Sequence, residues 1–166
     1  MVLVLEWQEC IKIIMANIQI KRGQQTQVSI KYKPDGISAT RNFYTADAQY
    51  TASLVLRKKT GSSVSGEKID TLISLTPATD DPSASPPEIQ STHGRIRFPQ
   101  LGADNRTDGT EDNANILLRW ETVDGAALPN EPLTLVGDLK ITDTDTNPDE
   151  VLHSLRLTFD IVPEII

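Results

Sequence analysis

From Ile18 onward, apolar and polar positions alternate with a period close to two. Ile18 and Ile20 alternate with Gln19 and Lys21, and Val28, Ile30 and Tyr32 with Ser29, Lys31 and Lys33. Tyr50, Ala52, Leu54 and Leu56 alternate with Thr51, Ser53 and Arg57. The cleanest run is the last, where Leu155, Leu157, Phe159 and Ile161 alternate with Arg156, Thr158 and Asp160. This period sets one face of a strand on a core and the other in water. Residues 69–76, 94–98, 116–123 and 133–142 are rich in Ile, Leu and Val between turn residues, and also read as strands. Turn signals separate the eight segments: Arg22-Gly23, Pro34-Asp35-Gly36, Gly61 to Gly66, and Asp124-Gly125. No long amphipathic helical stretch stands out beyond Met15. The pattern predicts an all-β fold, an antiparallel β-sandwich of immunoglobulin-like or similar type.

Two stretches break the pattern. Residues 77–92 carry Pro77, Pro82, Pro86 and Pro87, which deny ladder hydrogen bonds, and residues 99–114 are polar and acidic. Both read as long loops, natural contact segments in an assembly. The first fifteen residues, MVLVLEWQECIKIIM, fit two periods. Leu3, Trp7, Cys10, Ile11 and Ile14 fall at helical spacing, while Leu3, Leu5 and Trp7 alternate as a strand. Met15-Ala16 resembles a translation start, which would make residues 1–14 an upstream extension. An ordered apolar arm needs a surface to pack on. The division expected is therefore an arm with a first strand over 1–22 and a sandwich over 23–166. Leu5, Trp7 and Ile11 are the candidate interface anchors, since tryptophan is enriched at interface hot spots.

Composition narrows the classes. The chain has 166 residues, 38% hydrophobic, 23% charged and 5% aromatic, which suits one globular domain. No apolar run is long enough for a transmembrane helix, and the start lacks the features of a secretory signal. Cys10 is the single cysteine, so no intrachain disulfide can form. The net charge of −7 argues against nucleic acid as a partner. Charge is uneven. Residues 1–68 hold 10 Lys/Arg against 5 Asp/Glu, and residues 69–166 hold 6 against 18. Such a split is first a matter of solvated faces, and second a means for one copy's basic region to meet another's acidic region.

Candidate chemistry is sparse. Asp104, Asp108, Gly109 and Asp112 approach a calcium loop, but Arg106 stands where an oxygen ligand is needed and Asn115 replaces the bidentate glutamate. A second approach, Asp143, Asp145 and Asn147, has Pro148 where glycine is required. Both read as acidic hairpin tips, with no metal and no cofactor expected. His93 and His153 have no zinc spacing with Cys10. Ser91 near His93 lacks the nucleophile elbow of a hydrolase. Arg57-Lys58-Lys59 reads as a solvated strand end, and Trp120, in phase with Ile116 and Leu118, as a core tryptophan. No enzyme constellation emerges.

The order of short segments resembles a known family. IKRG at 20–23, PDG at 34–36, YTASLVLRKK at 50–59, LISLTP at 72–77 and GRIRF at 94–98 are followed by LTLVGDLKIT at 133–142 and SLRLTFDIVPEI at 154–165. This succession is similar to the small β-sandwich domain that opens phage upper-baseplate proteins of the BppU type and related virion proteins. Leu135-Val136-Gly137-Asp138-Leu139 lacks the family's tyrosine, and the acidic loop 99–114 departs from its usual short spacing. The resemblance implies a non-enzymatic virion structural protein and supplies no catalytic residues. In the family a linker and an extension follow this domain, whereas this sequence stops where the domain does. The expectation is therefore a capsid cement (decoration) protein on the capsid surface, working as a homotrimer against the major capsid protein. A small tail or baseplate subunit is the alternative. A carbohydrate- or receptor-binding module is the competing class, although few aromatics are available to build one.

Overall fold

The structure is a computed structural model that describes residues 2–8, 17–33, 43–44, 49–73, 93–99, 114–146 and 148–165. Nine strands and one short helix make up this part: β1 (Val2–Gln8), β2 (Asn17–Lys21), β3 (Thr26–Lys33), β4 (Tyr50–Thr60), β5 (Ser63–Ile73), β6 (Arg95–Arg97), β7 (Ile116–Trp120), α1 (Thr122–Ala127), β8 (Leu133–Asp143) and β9 (Glu150–Val162). They form a four-stranded sheet in the order β1-β3-β7-β6 and a five-stranded sheet in the order β2-β9-β8-β4-β5. The fold is an all-β sandwich. The loop centres at 77–92 and 100–113, and the Pro34-Asp35-Gly36 turn, lie outside the described residues.

The alternation does what its period predicts in the five-stranded sheet. Along β4, Ala52, Leu54 and Leu56 are buried, and along β8, Leu135, Leu139 and Ile141. Leu157, Phe159 and Ile161 of β9 join the same core, with Leu155 packed at its border. From the other sheet come Val28, Ile30 and Tyr32 of β3, and Ile116, Leu118 and Trp120 of β7. Trp120 meets Phe159 across the gap between sheets, edge to face at 5.6 Å. At one end Phe43 touches Tyr32, Phe98 and Tyr50 at 5.7, 5.4 and 5.4 Å, an arrangement that aromatic quadrupoles favour.

Three expectations need correction. First, the sandwich is not purely antiparallel: β1 runs parallel to β3, and β2 parallel to β9. Parallel neighbours need a crossover between them. Here β2, lying in the opposite sheet, comes between β1 and β3 in the chain. Second, the segment expected to be an arm contributes an edge strand, β1, to the four-stranded sheet, and Ile18 and Ile20 are core residues of this chain. Third, the turn read at Asp124-Gly125 is the middle of α1. Glu121 and Asp124 close a reciprocal capping box there, and Gly125 packs against the carbonyl of Gln24 where a Cβ would stand at 3.3 Å.

One face expected in water is not there. Ser29 and Gln27, out of phase with the core residues of β3, are buried, as is Leu117 between Ile116 and Leu118. The central strands β3 and β7 thus bury residues on both of their faces. Gln27 Nε2 and Ser29 Oγ have no hydrogen-bond partner among the described residues.

Candidate functional site

The most concentrated polar chemistry is a buried carboxylate where the chain passes from the five-stranded sheet to the other. Asp70 shares a face of β5 with Leu72, and both are buried. Its Oδ1 accepts hydrogen bonds from the backbone N–H groups of Thr71 and His93, each at 2.8 Å. Its Oδ2 accepts from the backbone N–H of Gly94 at 3.0 Å and from Trp120 Nε1 at 2.8 Å. Four donors converge on two oxygens, so the buried acid is fully hydrogen-bonded, as burial demands. Gly94 makes this possible: a Cβ there would stand 2.4 Å from Trp120 Nε1.

His93 lies beside this node, with Nδ1 3.5 Å from Asp70 Oδ1 and no hydrogen-bond partner for that buried nitrogen among the described residues. A catalytic imidazole needs a partner that orients it and a nucleophile or substrate within reach. Asp70 orients backbone and indole instead, and Ser91 lies outside the described residues. The geometry is that of a clamp that fixes the entry of β6 against Trp120. Sequence reading missed Asp70. The available signal was an acid in phase with Leu72 on a strand, a position that demands donors.

Asn115 has a similar structural use. Its Oδ1 accepts from Tyr32 N at 2.8 Å, and its Nδ2 donates to Tyr32 O at 3.0 Å. The side chain adds one rung to the β3–β7 ladder, which explains an amide where a calcium loop would carry glutamate. Asp104, Asp108, Gly109 and Asp112 lie outside the described residues. Asp143 is engaged too, accepting from Gln49 Nε2 at 3.1–3.2 Å and from Asp145 N at 3.0 Å. Asn147 lies outside the described residues, as does the His153 side chain. Among the described residues no group of three or more His, Cys, Asp or Glu is placed to hold a metal ion.

Of the candidate anchors, Leu5 and Trp7 fall on β1, in register with Ile30 and Tyr32 of β3. Ile11 and Cys10 lie outside the described residues. β1 is the outer strand of its sheet, so its second edge has no strand partner among the described residues. The second prominent edge is the β4–β5 hairpin. Leu56 is its last buried residue on β4, and Asp70 the first on β5. Register irregularities flank Arg57, whose Nη1 donates to the carbonyl of Gly66 at 2.6 Å. Gly61, at φ 59°, makes the turn. Residues 59–64 and 66–68 are exposed, so the sequence read as a solvated strand end is an overhanging basic hairpin.

No family model matches the chain, and no curated protein does. Among solved structures it is similar to the N-terminal domain of phage TP901-1 ORF48, with a TM-score of 0.41 and 10% sequence identity over 99% of this chain and 98% of that one.

Proposed function

We propose that this protein is a non-enzymatic structural subunit of a tailed-phage virion, positioned in the tail or baseplate. The observation that carries the reading is the ordered succession of segments shared with upper-baseplate sandwich domains. Those that fall on described residues coincide with structural elements: YTASLVLRKK lies on β4, GRIRF spans β6, LTLVGDLKIT lies on β8, and SLRLTFDIVPEI runs through β9. The polar chemistry agrees, because Asp70 and Asn115 are used for internal bracing. The resemblance is to a baseplate domain, which favours the tail end of the particle over capsid cement. Trimerisation through sister copies belongs to the same proposal.

The test is to locate the protein in particles separated into heads and tails. Detection by mass spectrometry in the tail fraction supports the reading. Detection only on heads returns the cement role, and absence from purified particles rejects a virion role.

A further inference from the structure

The strand registers set two opposite charges at opposite ends of the five-stranded sheet. Tyr50 of β4 pairs with Asp143 of β8, and Lys58 with Leu135. The β4–β5 turn therefore lies at the Leu133 end of β8, and the β8–β9 turn at the Asp143 end. At a strand rise near 3.3 Å, the two ends of β8 are about 33 Å apart. The β4–β5 hairpin at the first end carries Arg57, Lys58, Lys59 and Lys68 against one acid of its own, Glu67, with Glu131 of the neighbouring segment beside Lys58. The second carries Asp143, Asp145, Asp149 and Glu150 with no base between them.

Three details point outward from the hairpin. Beyond Lys58 it pairs only with itself, as Lys59 with Val64 and Thr60 with Ser63. Arg57 and Lys68 stand opposite each other in the ladder, a like-charge placement that is unfavourable without a counter-charge. Lys58 has a long 3.8 Å contact to Glu131, while Lys59 and Lys68 are exposed. Val64, on the hairpin, is 49% exposed. At the opposite end Asp145 and Asp149 are exposed, and beside them Val151 is 55% exposed. Each end thus offers an exposed valine beside a cluster in which one sign predominates, and the predominant signs are opposite.

We propose that copies of this chain associate head to tail: the β4–β5 hairpin of one copy seats on the β8–β9 turn of the next. Lys59 and Lys68 supply the positive charge, Asp145 and Asp149 the negative, and Val64 and Val151 the apolar contact. The two patches differ, so every open oligomer leaves one hairpin and one turn unfilled. Such a contact closes into a ring or extends as a filament. The proposal rests on the reading of the chain as an assembly subunit, but it is tested on the purified chain without particles, so the two can fail separately.

Sedimentation velocity over a wide concentration range, at low and high salt, is the experiment. The wild-type chain should associate at low salt and dissociate as salt screens the contact. The pair Lys59→Glu/Lys68→Glu and the pair Asp145→Lys/Asp149→Lys should each weaken self-association by about tenfold or more. Mixed together, the two variants should associate again, because each then meets an end of opposite sign. A wild type that stays monomeric, association that survives either reversal, or a mixture that stays monomeric overturns the proposal. If a variant fails to fold, hydrogen exchange on the wild type decides. Protection gained with concentration at 59–68 and 144–151 supports the contact, and protection unchanged there rejects it.

Discussion

Asp70 shows how a single residue can hold the join between two sheets. Its carboxylate accepts four N–H groups, and no neutral side chain of the same size does so. Asp70→Asn turns an NH2 group toward donors, leaving buried N–H groups of His93, Gly94 or Trp120 without an acceptor. The loss should be about 2–4 kcal/mol, from one charged hydrogen bond and the unsatisfied donors it leaves. A urea midpoint unchanged in that variant would count against the clamp. Little of this node was legible from the sequence. Asp70 is in phase with Leu72, but Ile69 and Ile73 hold the other phase, and nothing local says that three of its four partners come from 23 to 50 residues away. Trp120, by contrast, was readable, because its phase with Ile116 and Leu118 sufficed.

At the scale of elements, β9 was the most legible. Leu157 is 3% exposed and sits between apolar neighbours of both sheets. Leu157→Ala should cost about 2–5 kcal/mol in chemical denaturation, the range for a large-to-small change in a close-packed core. A value under half a kcal/mol would deny its place there. On the outer face of the same strand, Arg156 pairs with Asp138 at 2.8 Å across the β8–β9 ladder. The guanidinium hydrogen bond holds Asp138 below the usual carboxylate range, against a smaller opposing effect of burial. A depressed carboxylate stabilises the fold above its unfolded pKa and loses that contribution as pH falls through the folded value. Asp138→Asn should therefore lower the melting temperature slightly at neutral pH and not at all in strong acid. The pair is exposed and screened, so its effect should stay far below that of Leu157→Ala. Other elements were less readable. α1 spans six residues and contains Asp124-Gly125, which locally is indistinguishable from a turn. β1 fits a helix and a strand equally well, and its pairing with β3 decides between them.

For the whole molecule, the alternation specified two layers but not which strands are neighbours. Period two says which side of a strand is wet; it does not encode whether the next strand runs with it or against it. The parallel pairs therefore could not be read. β1 closes one edge of its sheet, and its removal should be felt through β3. A chain beginning at Met15 lacks β1 and leaves one backbone edge of β3 without its strand. It should keep the sandwich, melt earlier, and scatter more light with time as unpaired edges meet. Light scattering and melting equal to those of the full chain would show that β1 adds nothing to the sheet. The same measurement bears on the assembly proposal, because the β4–β5 hairpin is untouched by that deletion.

The pairing of β2 with β9 has a consequence for biogenesis. It joins Asn17 to Thr158, which are far apart in the order of translation. A nascent chain that has released β2 through β8 still lacks the strand that fits between β2 and β8. Until Val162 has cleared the ribosome, the five-stranded sheet has a gap flanked by two unpaired edges, and Trp120 lacks Phe159. Folding must wait until β9 is free of the ribosome, and closure of so distant a contact is slow. Ribosome-stalled chains arrested before Glu150 should remain protease-sensitive, and the transition to resistance should come only after β9 emerges.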